Sequence, residues 1–233
     1  MFLGVLIARL PASWVLATAS HDLRCDSVEG SLWSGYCGDA MVRGMPLGDL
    51  TWQLHPSHLL WGRLAAHVTV LRAGASARAD VALGLGGSTL IARNVRIDLP
   101  LDPKLLPALP PYLSGTVHAD LSRIEVTGKG VVKAIRGRVS VHDLIDSRGH
   151  VTPLGSFVVN FPGGAGTPVG HLRDLGGPLS LDGTLRLTRE PGYDLHAMVA
   201  ARASAVPSLI NALQYLGSPD AQGRRPFGLA GTY

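Results

Sequence analysis

Few residues of this sequence could perform chemistry, and their spacing does not assemble them into a site. His55 and His58 are the one close pair of histidines, and Pro56 between them disfavours the helix that would place both rings on one metal ion. The glycine-rich stretch 163–167 lacks the lysine of a phosphate-binding loop, and no helical pattern follows it. A turn and a surface loop are the better interpretations.

The remaining candidates for catalysis are equally incomplete. Asp143, Asp146 and His150 could be drawn into a triad, but their spacing does not bring them together. No serine stands in a Gly-x-Ser-x-Gly turn, which lowers the chance of a hydrolase. We therefore expect no catalytic residue, no cofactor, no metal site and no small-molecule ligand.

The distribution of basic residues argues against binding of nucleic acid. The net charge is +4, but the basic residues are spaced singly and the longest run is the pair Arg224-Arg225. A nucleic-acid binder clusters its cations on one face, so a solvated surface is the simpler interpretation. The hydrophobic content of 46% and the charged content of 16% exclude a disordered chain.

The two cysteines, Cys25 and Cys37, allow two arrangements. One straight strand would hold them about 40 Å apart at ~3.3 Å per residue, which is too far for a disulfide. A chain reversal at residues 29–31 would instead place them opposite each other. A disulfide is possible in the second arrangement, and no Cys/His spacing indicates zinc.

The N-terminus determines the expected location. Residues 1–19 are apolar except for Arg9, and no basic region precedes them as it would in a secretory signal. The apolar run is shorter than the ~20 residues that a membrane span needs. We interpret 1–19 as the outer part of a membrane anchor, with Met1 a late start and with Arg9 and Trp14 at the interface. The alternative is an apolar first helix of a soluble domain.

Beyond the anchor, residues 20–233 read as a β-rich domain. Apolar and polar residues alternate in 50–55, 66–70, 89–99, 115–121 and 183–187, which is typical of half-buried antiparallel strands. A turn at Glu190-Pro191-Gly192 predicts a hairpin from Leu179 to Ala201.

Helical patterns are short. One or two turns could form in 102–113, and 206–216 carries an apolar stripe that would cover the sheet. We therefore predict a mainly β fold, an extended, curled antiparallel sheet with one to three short packing helices behind the membrane-anchor remnant. The curved inner face could bind an apolar ligand, although an ordinary core is the simpler interpretation.

Three tryptophans stand out among the aromatic residues. Trp33 and Trp52 lie on alternating strands, so a structural core role is expected for them, and Trp61 follows soon after. The alternative for Trp33, Trp52 and Trp61 is docking against another protein.

Several strings of residues together resemble protein N of the type II secretion system. They are Leu10–Trp14, Val28–Gly35 with its Gly-Ser-Leu-Trp-Ser-Gly string at 30–35, Leu50–Pro56 with its Trp-Gln-Leu-His-Pro string at 52–56, Leu59–Leu64, and Leu213–Gly217 with Gly223-Arg224. The resemblance covers almost the whole chain. It implies a non-enzymatic subunit in the cell inner membrane that supports export of folded periplasmic proteins across the outer membrane. Residues 20–233 would then be a periplasmic β-rich domain. Its partners would be other secretion subunits at the inner membrane and inner-membrane lipid.

Two rival functions remain open. The alternation of Phe227, Leu229 and Tyr233 is typical of an outer-membrane β-barrel, although charges lie on both faces of several strands. A periplasmic lipid-binding or lipid-bridging protein would use the apolar face of the sheet.

Overall fold

The computed structural model describes residues 23–42, 44–84, 89–102 and 110–232. Most of these residues lie in strands, joined by short turns. The strands are β1 (Leu23–Arg24), β2 (Ser27–Gly30), β3 (Ser34–Val42), β4 (Met45–Leu54), β5 (Arg63–Arg72), β6 (Ala75–Gly84), β7 (Thr89–Pro100), β8 (Leu113–Thr127), β9 (Val132–Asp146), β10 (Thr152–Phe161), β11 (Val169–Asp174), β12 (Leu179–Leu187), β13 (Tyr193–Ala201) and β14 (Arg225–Gly231). A 3-10 helix (Pro56–Trp61) follows β4, and α1 (Pro207–Leu213) follows β13.

All the strands belong to one antiparallel sheet, and from β3 to β14 each strand pairs with its neighbour in the chain. At the N-terminal edge, β1 and β2 both pair with β3. Within the described part of the chain, β14 pairs only with β13. The sheet is therefore open, with one edge at β1 and β2 and the other at β14.

The two faces of the sheet differ in chemistry because side chains alternate along each strand. In β12, Leu181 and Leu185 pack in hydrophobic clusters, whereas Asp182 and Arg186 lie on the opposite side. The same alternation holds in the neighbouring strands. We call the side with the hydrophobic clusters the apolar face and the other side the polar face.

The core forms where the sheet curls over its own apolar face. One cluster is centred on Leu121, Ile135 and Phe161, and it also includes Val81 of β6 and Leu187 of β12. Strands that are far apart in the sheet order thus contribute to one core. A second cluster forms where Leu209 of α1 packs on β12 and β13.

The structure confirms the mainly β, curled antiparallel sheet with few helices. The long strand expected at 89–99 is β7, and the hairpin expected from Leu179 to Ala201 is formed by β12 and β13. The helix expected at 206–216 is α1, which is shorter because it ends at Leu213. Most of the expected helix at 102–113 lies outside the described residues.

The predicted anchor, residues 1–19 with Arg9 and Trp14, also lies outside the described residues. Among those described, neither the 3-10 helix nor α1 approaches the length and apolar character that crossing a membrane would take.

Candidate functional site

The string at residues 30–35 forms a tight chain reversal between β2 and β3. The Ser31 backbone N–H donates to the Ser34 carbonyl oxygen at 2.9 Å. Gly30 has φ +88°, and a Cβ built on it would lie 2.4 Å from that same oxygen. Only glycine fits this position, because any side chain would collide with the backbone of the turn. The first string of the family resemblance is thus a structural turn.

Trp52 of β4 packs directly on this reversal. It is the register partner of Gly35, and a Cβ on Gly35 would lie 2.2 Å from Cζ2 of the indole ring. The indole Nε1–H donates to the Leu32 carbonyl oxygen at 3.0 Å. We call the reversal 30–35 with Trp52 the tryptophan clamp. It explains why the Gly-Ser-Leu-Trp and Trp-Gln-Leu-His-Pro strings occur together, since each one packs against the other.

The three tryptophans singled out from the sequence are distributed unequally around this clamp. Trp33 is half-buried within the reversal, and its carbonyl oxygen accepts a hydrogen bond from the Leu54 N–H at 2.7 Å. Trp52 is half-buried as well. Trp61 ends the 3-10 helix, and its side chain lies outside the described part of the structure. The structure thus brings Trp33 and Trp52 to one place, the end of the sheet at β2–β4.

A disulfide ties down the same edge of the sheet. Cys25 and Cys37 are bonded, with their Cα atoms 5.4 Å apart. Cys37 is fully buried in β3, and Cys25 stands between the short strands β1 and β2. The chain reversal that the bond requires is the one at the tryptophan clamp, and the pairing of Val28 with Cys37 sets its register.

Next to the clamp, a tyrosine and several carboxylates lie on the polar face. A hydrogen bond from Tyr36 to Asp49 is the main cause that raises the pKa of the tyrosine, and burial and the negative charge of Asp49 add to it. Further along the sheet, Asp80 accepts from the Asn94 amide at 2.7 Å and lies 2.7 Å from His67 Nδ1. These contacts, that with His67 first, lower the pKa of Asp80. These hydrogen bonds give the carboxylates of Asp49 and Asp80 a structural role.

The structure does not assemble the triad considered at Asp143, Asp146 and His150. Arg148 donates to Asp146 at 2.8 Å, and this contact lowers the pKa of the Asp146 carboxyl. A different group of serine, histidine and aspartate lies on β7, β8 and β9, where Asp98 hydrogen-bonds His118, whose ring lies 5.1 Å from that of His142. The Ser140 hydroxyl lies 3.0 Å from His142 Nε2.

This group falls short of a catalytic triad because the aspartate and the serine contact different histidines. Ser140 is also buried, which leaves little access for a substrate. Sequence reasoning missed the group because Asp98, His118 and Ser140 meet only through the strand register. The available signal was that each of these residues occupies a polar position in the alternating pattern of its strand. In the part of the chain that the structure describes, no three His, Cys, Asp or Glu side chains are placed to hold a metal ion.

Comparison with known proteins agrees with the resemblance seen in the sequence. Residues 21–228 match the family described as type II secretion system (T2SS), protein N. The chain is 27% identical to the type II secretion system protein N of Vibrio cholerae serotype O1 (strain ATCC 39315 / El Tor Inaba N16961) over 233 residues, covering 97% of this chain and 92% of that protein. No solved structure matches the chain. The match spans the clamp, the disulfide and nearly all of the sheet, and the chain therefore belongs to the family of type II secretion system protein N.

Proposed function

We propose that this chain is a non-enzymatic subunit of the type II secretion system at the cell inner membrane, where it supports export of folded periplasmic proteins across the outer membrane. In this proposal, residues 1–19 anchor the chain and residues 20–233 lie in the periplasm. The observation that carries the proposal is the family match across 21–228.

Two features of the structure support the proposed role. The bond between Cys25 and Cys37 suits an oxidising compartment such as the periplasm. The sheet also offers rigid surface next to its N-terminal edge, where the tryptophan clamp leaves Trp33 and Trp52 half-buried. Half-buried indole rings on a rigid support are typical anchors of a protein interface, so we propose this end of the sheet, with Trp61, as the contact with another secretion subunit.

Deletion of the gene tests the proposed role. We expect secreted enzymes to accumulate in the periplasm of the deletion strain, and the full chain supplied from a plasmid to restore their release. Cell fractionation with antibody detection should find the chain in the inner-membrane fraction. Unchanged secretion would overturn the secretion role, and recovery in the outer-membrane fraction would overturn the proposed location.

Complementation with a clamp variant tests the proposed contact. Trp33→Ala should restore secretion less well than the wild-type chain at equal protein level, because it removes half-exposed aromatic surface. Gln53→Ala is the matched control, since Gln53 is exposed on the adjacent strand and lies outside the clamp. Full secretion by Trp33→Ala would contradict docking through this residue.

A second candidate function is lipid binding on the apolar face. It is favoured by three leucines that are register neighbours across β5, β6 and β7. Leu64 and Leu83 are each 38% exposed and Leu90 is 41% exposed, although they lie on the apolar face. Lipid extraction of the purified full chain followed by mass spectrometry tests this candidate.

The variant Leu83→Asp should lower the amount of co-purified lipid if the leucines hold acyl chains. Leu71→Asp is the matched control, because Leu71 is an exposed leucine on the polar face of the neighbouring strand. Equal lipid content in wild type and both variants would remove this candidate.

A further inference from the structure

Three arginines lie side by side on the polar face in the middle of the sheet. Arg93 of β7 is the register partner of Arg123 of β8, and Arg123 is the partner of Arg136 of β9. Paired residues of antiparallel strands project to the same face, so the three side chains form one cross-strand row. We call Arg93, Arg123 and Arg136 the arginine row. All three residues are exposed.

The register of the sheet is interrupted twice beside this row, between β6 and β7 and between β8 and β9. In β7, Asn94 has φ +50° where the pairing with β6 shifts. In β8, the pairing with β9 shifts between Leu121 and Arg123. In β9, Gly137 has φ +136°, and a Cβ on it would lie 2.3 Å from the Asp120 carbonyl oxygen. Bulges bend a strand and redirect its side chains, and here two of them lie on the adjacent strands β7 and β8.

A cleft of about 610 Å³ lies beside these bulges on the polar face. The arginine row lines it together with Ser122, Gly163 and Gly164. Gly163 packs closely on Arg136, since a Cβ at Gly163 would lie 2.5 Å from Arg136 Nε. The glycine-rich stretch 163–167 is thus placed beside a group of cations, which its sequence alone did not indicate.

The charges in the cleft are not balanced. Glu125 pairs with Arg123, accepting from its Nε at 2.7 Å. Among the described residues, neither Arg93 nor Arg136 has a carboxylate within 4.0 Å. Asp80, the partner of Arg93 in the register, is instead bound by His67 and Asn94. Like charges directly opposite each other destabilise a sheet, and a bound anion would remove that cost.

A second cleft of about 730 Å³ adjoins the first and shares Arg93 and Arg123 with it. Its lining includes the apolar side chains of Ala65, Ala82 and Ile91. Cationic and apolar surfaces therefore lie next to each other on the polar face. This combination suits a ligand that carries an anionic group beside an apolar part.

We propose that the arginine row is a binding site for a phosphate group. Guanidinium groups bind phosphate oxygens through paired hydrogen bonds, and the row offers two guanidiniums, those of Arg93 and Arg136, without an acidic partner among the described residues. The phosphate can come from a phospholipid headgroup, whose glycerol and chains would meet the apolar part of the second cleft, or from inorganic phosphate. The site is independent of the secretion role and of the tryptophan clamp.

Titration calorimetry on the full chain in a neutral alkyl maltoside detergent tests the site. The probes are inorganic phosphate, dihexanoyl phosphatidylglycerol below its micelle concentration, and a hexaglutamate peptide. We expect binding of at least one phosphate probe. A response to phosphatidylglycerol alone identifies a headgroup site, and a response to inorganic phosphate identifies a site for the free ion. Binding of hexaglutamate alone, or of no probe, overturns the proposal.

The double variant Arg93→Gln with Arg136→Gln should weaken phosphate binding by roughly 10- to 30-fold, because each basic group near an anion contributes about one factor of five. The matched control is Arg173→Gln with Arg186→Gln, which removes two arginines of the same face on β11 and β12. We expect that control to bind within about twofold of wild type. An equal loss in both double variants would show a general charge effect and overturn the site.

Arg136→Lys provides a second check because it keeps the charge and removes the planar fork. We expect its binding to fall between that of wild type and the double variant. Added phosphate should raise the thermal midpoint of wild type and leave that of the double variant unchanged. Equal phosphate-induced shifts in both proteins would contradict the proposal.

Discussion

The C-terminal and N-terminal ends of the sheet are stabilised by different contacts. At the C-terminal end, α1 covers β12 and β13, and Val199 and Leu209 are only 3% and 7% exposed. Near β5–β7, Leu83 of the same face is far more exposed, at 38%. The N-terminal region is held instead by the disulfide and the tryptophan clamp. The comparison shows that one sheet can be stabilised by burial at one end and by local links at the other.

The largest expected loss of stability follows from removing the contact of α1 with the sheet at the C-terminal end. Leu209→Ala should lower the free energy of unfolding by about 3 kcal/mol, because it removes a buried side chain and leaves a cavity under α1. Leu83→Ala, the same change at a more exposed leucine of that face, should cost about 1 kcal/mol or less. Urea unfolding followed by circular dichroism measures both. Equal costs would contradict the difference between the two regions.

Breaking the link at the N-terminal edge should have the next largest effect. Replacing both Cys25 and Cys37 by serine should lower the free energy of unfolding by about 2.5 kcal/mol, as expected for a short closed loop. Addition of reductant to the wild-type chain should give a similar loss and have no effect on the variant. Insensitivity of the wild-type chain to reductant would argue against a stabilising disulfide.

An ion pair at the covered end should make its stability depend on pH. Burial raises the pKa of Asp174, but backbone N–H groups of Leu181 and Gly176 and the Arg202 guanidinium, 2.6 Å away, outweigh it and lower the pKa. The stabilisation is therefore present above the unfolded pKa of about 3.9 and is lost as pH falls through the lower folded value. Asp174→Asn should cost about 1.5 kcal/mol at pH 7.

Unfolding curves between pH 2 and 7 measure this dependence. The difference between wild type and Asp174→Asn should be constant from pH 5 to 7 and should shrink below about pH 4. Asp182→Asn is a suitable control, because Asp182 is exposed and its contact with Arg173 is long, at 3.5 Å. A difference that grows as the pH falls would contradict a stabilising role for the Asp174 carboxylate.

The smallest expected effect concerns the tryptophan clamp. Trp52→Phe keeps an aromatic ring on Gly35 but removes the hydrogen bond to the Leu32 carbonyl, so it should cost about 1 kcal/mol. Gln53→Ala should change the free energy of unfolding by less than about 0.5 kcal/mol. Chemical unfolding monitored by far-ultraviolet circular dichroism serves for both. If Trp52→Phe costs no more than Gln53→Ala, the indole hydrogen bond does not stabilise the fold.

The features that could be predicted from the sequence are those determined by neighbouring residues. The hairpin of β12 and β13 follows from alternation and from the turn at Glu190-Pro191-Gly192. The start of α1 follows from Pro207 and its apolar stripe. The glycine-rich reversal at 30–35 was visible as a string, although its contact with Trp52 was not.

The arginine row could not be predicted, because Arg93, Arg123 and Arg136 become neighbours only through the strand register. That register is shifted by bulges at Asn94 and Ser122, whose positions depend on both partners of each pair. The same limit explains why sequence reasoning missed the group of Asp98, His118 and Ser140. The histidines that meet, His118 and His142, lie on different strands.

The uninterrupted order of the sheet from β3 to β14 has a consequence for how the chain folds. Each new strand finds its partner in the hairpin just completed, so the sheet can grow from its N-terminal edge without waiting for distant segments. The Cys25–Cys37 bond and the reversal beside it involve only residues near the start of the sheet. A chain that emerges N-terminus first can therefore secure its first strands early and add the rest one after another, with α1 and β14 completing the structure last.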